Sequence, residues 1–133
     1  MANRYLLDTN IVIYALGSEQ CAIEYIKKVT LTGGELYFST ITEAEVFSKP
    51  LDEEISQAFN EFFSTGTVIP VTSEIARSAG EIRVNTKAKL ADALIAATAL
   101  IVNATLVTHD ISYFNKMQRA YDSLLIVDPM ETP

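Results

Sequence analysis

The stretch Tyr5-Leu6-Leu7-Asp8-Thr9-Asn10-Ile11-Val12-Ile13-Tyr14 decides how the chain reads. Three apolar residues run into an acid, Thr-Asn follows, and a second apolar run begins at once. The first run, residues 4–7, suits a short strand buried on both faces. The second, from about residue 10 to 16, suits a helix that Gly17 ends. A carboxylate then stands at the carboxyl end of a central strand, the edge where open α/β sheets bind ligands. Asp8 is the first candidate site residue, and the reading turns on whether other acids reach the same edge.

Working outward, further strands are expected at residues 36–39, 67–71, 105–108 and 124–127. Helices fill the gaps. Ser18 is placed to cap one running through Lys28, and Gly33-Gly34 turns the chain into the second strand. Residues 42–48 read as a short helix that Pro50 stops. Asp52 caps a helix with an apolar stripe of Phe59, Phe62 and Phe63, more suited to core or a partner groove than to RNA stacking. Thr72 or Ser73 caps another, to about residue 84. Residues 89–103 form the most apolar helix, expected to be buried on more than one side. Residues 111–114 form a short helical segment, and 129–133 a frayed tail. Alternating strands and helices predict an α/β fold with a mostly parallel sheet of about five strands, as one domain over residues 1–133.

The composition, 49% hydrophobic and 20% charged, is that of a globular chain and not a disordered one. A single cysteine, Cys21, rules out an internal disulfide framework, suits a reducing cytosol, and reads as a passive, partly buried helix residue. No signal-peptide pattern opens the chain, and the longest apolar stretch, residues 93–102, is too short to span a bilayer. The expectation is a cytoplasmic protein with no membrane contact. A net charge of −7 argues against nucleic-acid binding through a broad basic surface. It leaves nucleic acid open as a substrate, since a bound metal offsets a local acid cluster, and it suits a basic protein partner.

Four acids carry the functional reading, and each has an ordinary alternative. Asp8 can cap the helix after it. Thr42-x-x-Glu45 and Thr40-x-x-Glu43 both match capping boxes, so local sequence does not choose between Glu43 and Glu45. Asp92 opens the apolar helix, where the macrodipole contributes only about 0.3–1 kcal/mol; its neighbours Leu90, Leu94 and Ile95 draw that turn inward, which makes plain solvation a poor account of it. Asp110 follows Leu106-Val107-Thr108-His109 and can cap the segment after it. With parallel strands, all four positions fall on one sheet edge. Two carboxylates about 4 Å apart repel by roughly 4 kcal/mol at an effective dielectric of ~20. Such a group needs a cation, and carboxylates with water suit Mg²⁺ or Mn²⁺. One histidine and one cysteine cannot make a zinc site.

Leu7-Asp8-Thr9-Asn10, Thr42-x-x-Glu45, Asp92-Ala93-Leu94-Ile95-Ala96-Ala97-Thr98-Ala99 and Leu106-Val107-Thr108-His109-Asp110-x-x-x-Phe114 together resemble the PIN-domain ribonucleases, and within them the compact VapC-type toxins of prokaryotic toxin–antitoxin systems. The resemblance runs from about residue 4 to 127. It implies a three-layer α/β/α fold and an acidic site that binds Mg²⁺ or Mn²⁺ and cuts single-stranded or loop RNA. It also implies a homodimer and a small antitoxin that blocks the active groove. It assigns the acids to Asp8, Glu45, Asp92 and Asp110, which selects Glu45 over Glu43, with Asn10 and Thr108 holding the site together. Two positions depart from the family. Tyr113 stands where many relatives have a further Asp, and Val46-Phe47-Ser48-Lys49-Pro50 replaces a Leu and a following Gly.

On this reading Asp8, Asp92 and Asp110 hold the metal and Glu45 positions or deprotonates the attacking water. Lys49, Lys87, Lys89 and Arg83 lie near the active edge in sequence, although solvated surface is the commoner fate of such residues. His109 is expected to point away from the site, since neighbours at a strand end face opposite ways. Surplus apolar surface on the first helix and on residues 93–102 is the reason, apart from the resemblance, to expect a homodimer. The rival readings are a nuclease-dead PIN scaffold and a Mg²⁺-binding phospho-acceptor module; the latter lacks the paired acid that its first strand would carry.

Overall fold

Arg4–Leu7 (β1) is the central strand of the sheet in the computed structural model, which describes residues 3 to 131. The other strands are Glu35–Ser39 (β2), Thr67–Ile69 (β3), Thr105–Val107 (β4) and Ile126–Val127 (β5). Their order is β3-β2-β1-β4-β5, and every neighbouring pair is parallel. The chain steps outward from β1 to one side, then crosses to the other, so the connection reverses between β1 and β4. That reversal opens a crevice at the carboxyl ends of these two strands.

Helices Thr9–Leu16 (α1), Gln20–Leu31 (α2), Thr40–Val46 (α3), Glu53–Phe63 (α4), Ser73–Thr86 (α5), Leu90–Val102 (α6) and Ile111–Ala120 (α7) complete three α/β/α layers. The layering follows from the alternation of side chains along each strand. Leu6 and Leu106 point into one core with Ile75, Ile82, Ile95, Phe114 and Met117. Leu7 and Val107, one residue on, point into the other with Ile11, Val12, Phe38, Phe59 and Phe63. The sheet is thus apolar on both faces, and a Leu→Ala change at Leu6 or Leu7 would cost about 2–5 kcal/mol.

Local chemistry sets the element ends. Gly33 turns at φ 85°, and a side chain on Gly34 would press on Val29, so the Gly-Gly pair is needed where α2 hands over to β2. Pro70, lacking an N–H, follows β3 and keeps it to three residues. Ser18 does not cap α2. It sits in the left-handed region at φ 66°, and Glu19 takes the N-cap position without a side-chain hydrogen bond. The segment expected over 111–114 continues to Ala120, because Phe114 and Met117, three apart, both bury against the core. Cys21 is exposed, not partly buried.

Pro129 is buried, and the Glu131 N–H reaches the Asp128 carbonyl at 3.2 Å. The expected frayed tail is therefore a turn as far as 131, and residues 132 and 133 lie outside the described residues. The surplus apolar surface is also smaller than expected: Ile11, Val12 and all of residues 93–99 are buried within the single chain. No helix among the described residues is long and apolar enough to cross a membrane.

Candidate active site

The parallel sheet brings the four acids to one edge. Asp8 follows β1, Asp110 follows the adjacent β4, Glu45 lies in α3 just after β2, and Asp92 is in the first turn of α6, the helix that runs back to feed β4.

Asp8 caps α1 and does more. One carboxylate oxygen, Oδ1, accepts from the Thr9 N–H at 2.8 Å; the other, Oδ2, accepts from the Thr108 hydroxyl at 2.9 Å. Capping and site membership are therefore not alternatives here. The Thr108 hydroxyl, fully buried, also accepts from the Asp110 N–H at 3.0 Å and from Asn10 Nδ2 at 3.4 Å. Asn10 Oδ1 in turn accepts from the His109 N–H at 3.3 Å. Asn10 and Thr108 thus tie the ends of β1 and β4 together around Asp8.

Neither capping box forms. Ser39 is the N-cap of α3, and its side chain accepts from the Ile41 N–H at 3.0 Å. Thr40 instead accepts from the Val71 N–H at 3.2 Å. Thr42 is buried, with its hydroxyl 3.1 Å from that of Thr9, and Thr9 donates to Glu45 Oε1 at 2.5 Å. Glu45, whose own side chain is exposed, is thereby bonded to the residue next to Asp8, a contact no local reading of α3 could supply. Thr9 and Thr42 thus join the acids by hydrogen bonds, a role that their places in the Leu7-Asp8-Thr9-Asn10 and Thr42-x-x-Glu45 motifs did not assign them.

Asp92 is half-buried, and the Tyr113 hydroxyl, which accepts from the Lys89 N–H at 2.9 Å, favours its charged form. Tyr113 thus acts on Asp92 from α7. Asp110 occupies the N-cap position of α7 but makes no side-chain capping bond, so the ordinary explanation for this acid fails.

Electrostatics binds the set together. Burial pushes the Asp8 carboxyl from 3.8 up to about 6, against two hydrogen bonds that lower it, with the charges of Asp92 and Glu45 adding to the rise. Asp92 is raised first by burial, then by Glu45 and Asp110, while Lys89 and Tyr113 oppose. The only ion pairs among the described residues are Arg4–Glu35 and His109–Asp128, neither of them on these acids. The acids feel one another, yet among the described residues no three stand close enough to ligate one ion together. That arrangement fits Mg²⁺, which keeps several waters and takes only one or two carboxylates directly.

His109 turns aside. Its Nδ1 lies 3.0 Å from Oδ2 of the buried Asp128, and its ring meets Tyr14 edge-on at 5.6 Å between centroids. Asp128 follows β5, so it repeats the pattern of an apolar strand ending in an acid, a signal the sequence carried. Of the cations singled out, Lys49 lines a cleft of about 450 Å³ beside Glu45, with Ile13, Val46 and Phe59 on its walls. Lys89 precedes α6 as its N-cap residue, and Arg83 Nε donates to the Ala88 carbonyl at 3.1 Å.

A family model of the PIN domain matches residues 5–120, and the chain belongs to that family. Ribonuclease VapC19 of Mycobacterium tuberculosis is 30% identical over 114 residues, which span 82% of this chain and 90% of that protein. Among solved structures, VapBC2 of Rickettsia felis, bound to a DNA fragment from its promoter, superposes with a TM-score of 0.79 at 26% identity, over 94% of this chain and 98% of that one. A toxin–antitoxin complex from Klebsiella pneumoniae gives the same score and identity, over 96% and 99%.

Proposed function

We propose that this protein is a metal-dependent endoribonuclease that cuts single-stranded or loop RNA, and that it is the toxin of a type II toxin–antitoxin pair. The observation that carries the reading is a set of mutually repelling carboxylates, none of them in an ion pair among the described residues, at the β1/β4 crevice of a PIN-family chain. Asp8, Asp92 and Asp110 would hold Mg²⁺ or Mn²⁺ between them, one or two by direct contact and the remainder through the ion's waters. When bound, the divalent ion supplies Lewis acidity toward a water and a phosphate oxygen.

The chain's own residues do the rest. Thr9 and Thr108 fix both oxygens of Asp8, so its carboxylate meets the ion already oriented. The Tyr113 hydroxyl favours the charged form of Asp92. Glu45 is held at Oε1 by Thr9, which leaves Oε2 to orient the attacking water and accept its proton.

The test is cleavage of a single-stranded RNA with and without Mg²⁺ or Mn²⁺. Asp8→Asn and Asp92→Asn are expected to lose at least about a hundredfold in rate while keeping the native circular dichroism. Full metal-dependent activity in either folded variant would sink the scheme. Metal binding without cleavage by the wild type would favour a scaffold role instead.

A small antitoxin is the partner we propose. Support comes from the complexes in which the structural neighbours were solved and from the cleft beside Glu45, whose apolar wall could seat a protein segment over the acid. A small DNA-binding protein encoded directly upstream that copurifies with this chain and stops cleavage is the expected result. A homodimer is proposed as well, now resting on Leu31, Leu90 and Leu125, which remain exposed. Light scattering that finds only monomer at micromolar concentration would remove it.

A further inference from the structure

A second cleft lies between the end of α5 and α7, outside the four-carboxylate set. It encloses about 280 Å³ and is lined by Thr86, Lys87, Ala88, Tyr113, Lys116 and Met117. That size is at the low end for ligand pockets and admits one nucleotide-sized group. Two lysines on so small a wall stand out in a chain of net charge −7, and neither forms an ion pair among the described residues. Lys87 ends α5 in the left-handed region at φ 58°, a conformation more often given to Gly or Asn.

The walls are pinned at both ends. Asn85 Nδ2 donates to the Tyr121 hydroxyl at 2.8 Å, and the Lys89 N–H donates to the Tyr113 hydroxyl at 2.9 Å. Tyr113 belongs to two places at once: it lines this cleft, and its hydroxyl, tied to the Lys89 N–H at the start of α6, acts on Asp92. One phenol separates the cleft from the acids. The cleft beside Glu45 differs, having a single lysine and apolar walls of Ile13, Val46, Leu51 and Phe59. A polyanion drawn to an acidic edge needs positive charge close by, and the α5/α7 cleft offers it in pocket form.

We infer that the α5/α7 cleft is a nucleotide subsite that seats a residue of the RNA next to the scissile phosphate, with Lys87 and Lys116 on its phosphate and Tyr113 as the wall shared with the acids. This rests on the ribonuclease reading. Lysine suits the role as a point charge on a flexible stem, taking a phosphate without dictating the base. The subsite sets affinity and register, while the acids do the chemistry.

The experiment follows a fluorescein-labelled single-stranded RNA by anisotropy across a salt series and, in parallel, its cleavage with Mn²⁺. The proteins are the wild type, Lys87→Gln/Lys116→Gln, Lys87→Arg/Lys116→Arg, and Lys27→Gln/Lys28→Gln on α2 as a remote control for net charge. The Gln pair in the cleft should weaken binding by about tenfold or more and flatten the log–log salt dependence by about 0.7 for each phosphate no longer neutralised. KM should rise with kcat unchanged, and the Arg pair should restore binding. The subsite is overturned if affinity and slope stay at wild-type values, if the remote pair lowers them equally, or if the wild type binds no RNA. Salt-dependent binding that the cleft variant abolishes, in a wild type that never cleaves, would support the subsite and sink the nuclease reading. Cleavage that the cleft variant leaves untouched would do the reverse.

Discussion

Asp8 and Asp110 begin alike and end differently. Each follows a short apolar strand, the two strands are neighbours, and each acid precedes a helix. Asp8 is 7% exposed, with both oxygens bonded; Asp110 is exposed and caps nothing. The difference traces to Thr108. Its hydroxyl gives its proton to Asp8 and meets the Asp110 backbone N–H, so it anchors the side chain of one acid and only the main chain of the other. The edge therefore pairs a buried carboxylate, fixed by the fold at both oxygens, with an exposed one that makes no capping bond.

The largest expected effect falls on Asp8, the buried acid of the two. Asp8 titrates at about 6 in the fold against 3.8 ordinarily, so across that window the folded chain holds a proton that the unfolded chain has released. Stability of the metal-free protein then falls as pH rises from 3.8 to about 6 and stays lower above, by about 3 kcal/mol at ~1.36 kcal/mol per unit. Mg²⁺ or Mn²⁺ should restore it at pH 7. Asp8→Asn should abolish cleavage yet raise the metal-free melting temperature and flatten this pH dependence, a trade of activity for stability. Thermal melts from pH 4 to 8, with and without metal, read all of this; a wild-type stability that rises over that window would break the comparison.

Thr108→Val tests the shared anchor. It strands the Asp110 N–H and leaves Asp8 Oδ2 without its donor, for a loss of about 1–3 kcal/mol by urea denaturation. Tyr113→Phe frees Asp92 without unpacking α7 and should cost about tenfold in metal affinity or rate, with Tyr113→Asp recovering part of it. The smallest effect is Asp110→Ala on stability, within about 0.5 kcal/mol, since no cap is lost. A drop comparable to that of Thr108→Val would show that Asp110 is as structural as Asp8.

Much of the frame was legible because burial on two faces writes itself as short apolar runs: β1 lies where its four residues predict, and the acids fall at run ends that parallel pairing brings to one edge. Element ends were less legible. Ser18 and the two Thr-x-x-Glu boxes match capping patterns, but the turn geometry before α2 and the reach of Thr42 to Thr9 decided otherwise. The length of α7 depended on Met117 finding the core, a tertiary fact. The surroundings of Glu45 and Asp92 come from Thr9 and Tyr113, residues distant in sequence, and no local pattern encodes them. The pairing of His109 with Asp128 is of the same kind.

The bond between Asp8 and Thr108 joins residues 100 positions apart. While the chain is being made, Asp8 leaves the ribosome early and waits for β4. Until β4 emerges and pairs beside β1, only the adjacent Thr9 N–H holds that carboxylate, and the edge still lacks Thr108 and Asp110. In a chain proposed to be a ribonuclease, that order of assembly would leave the site unformed while the chain is still tethered to the ribosome.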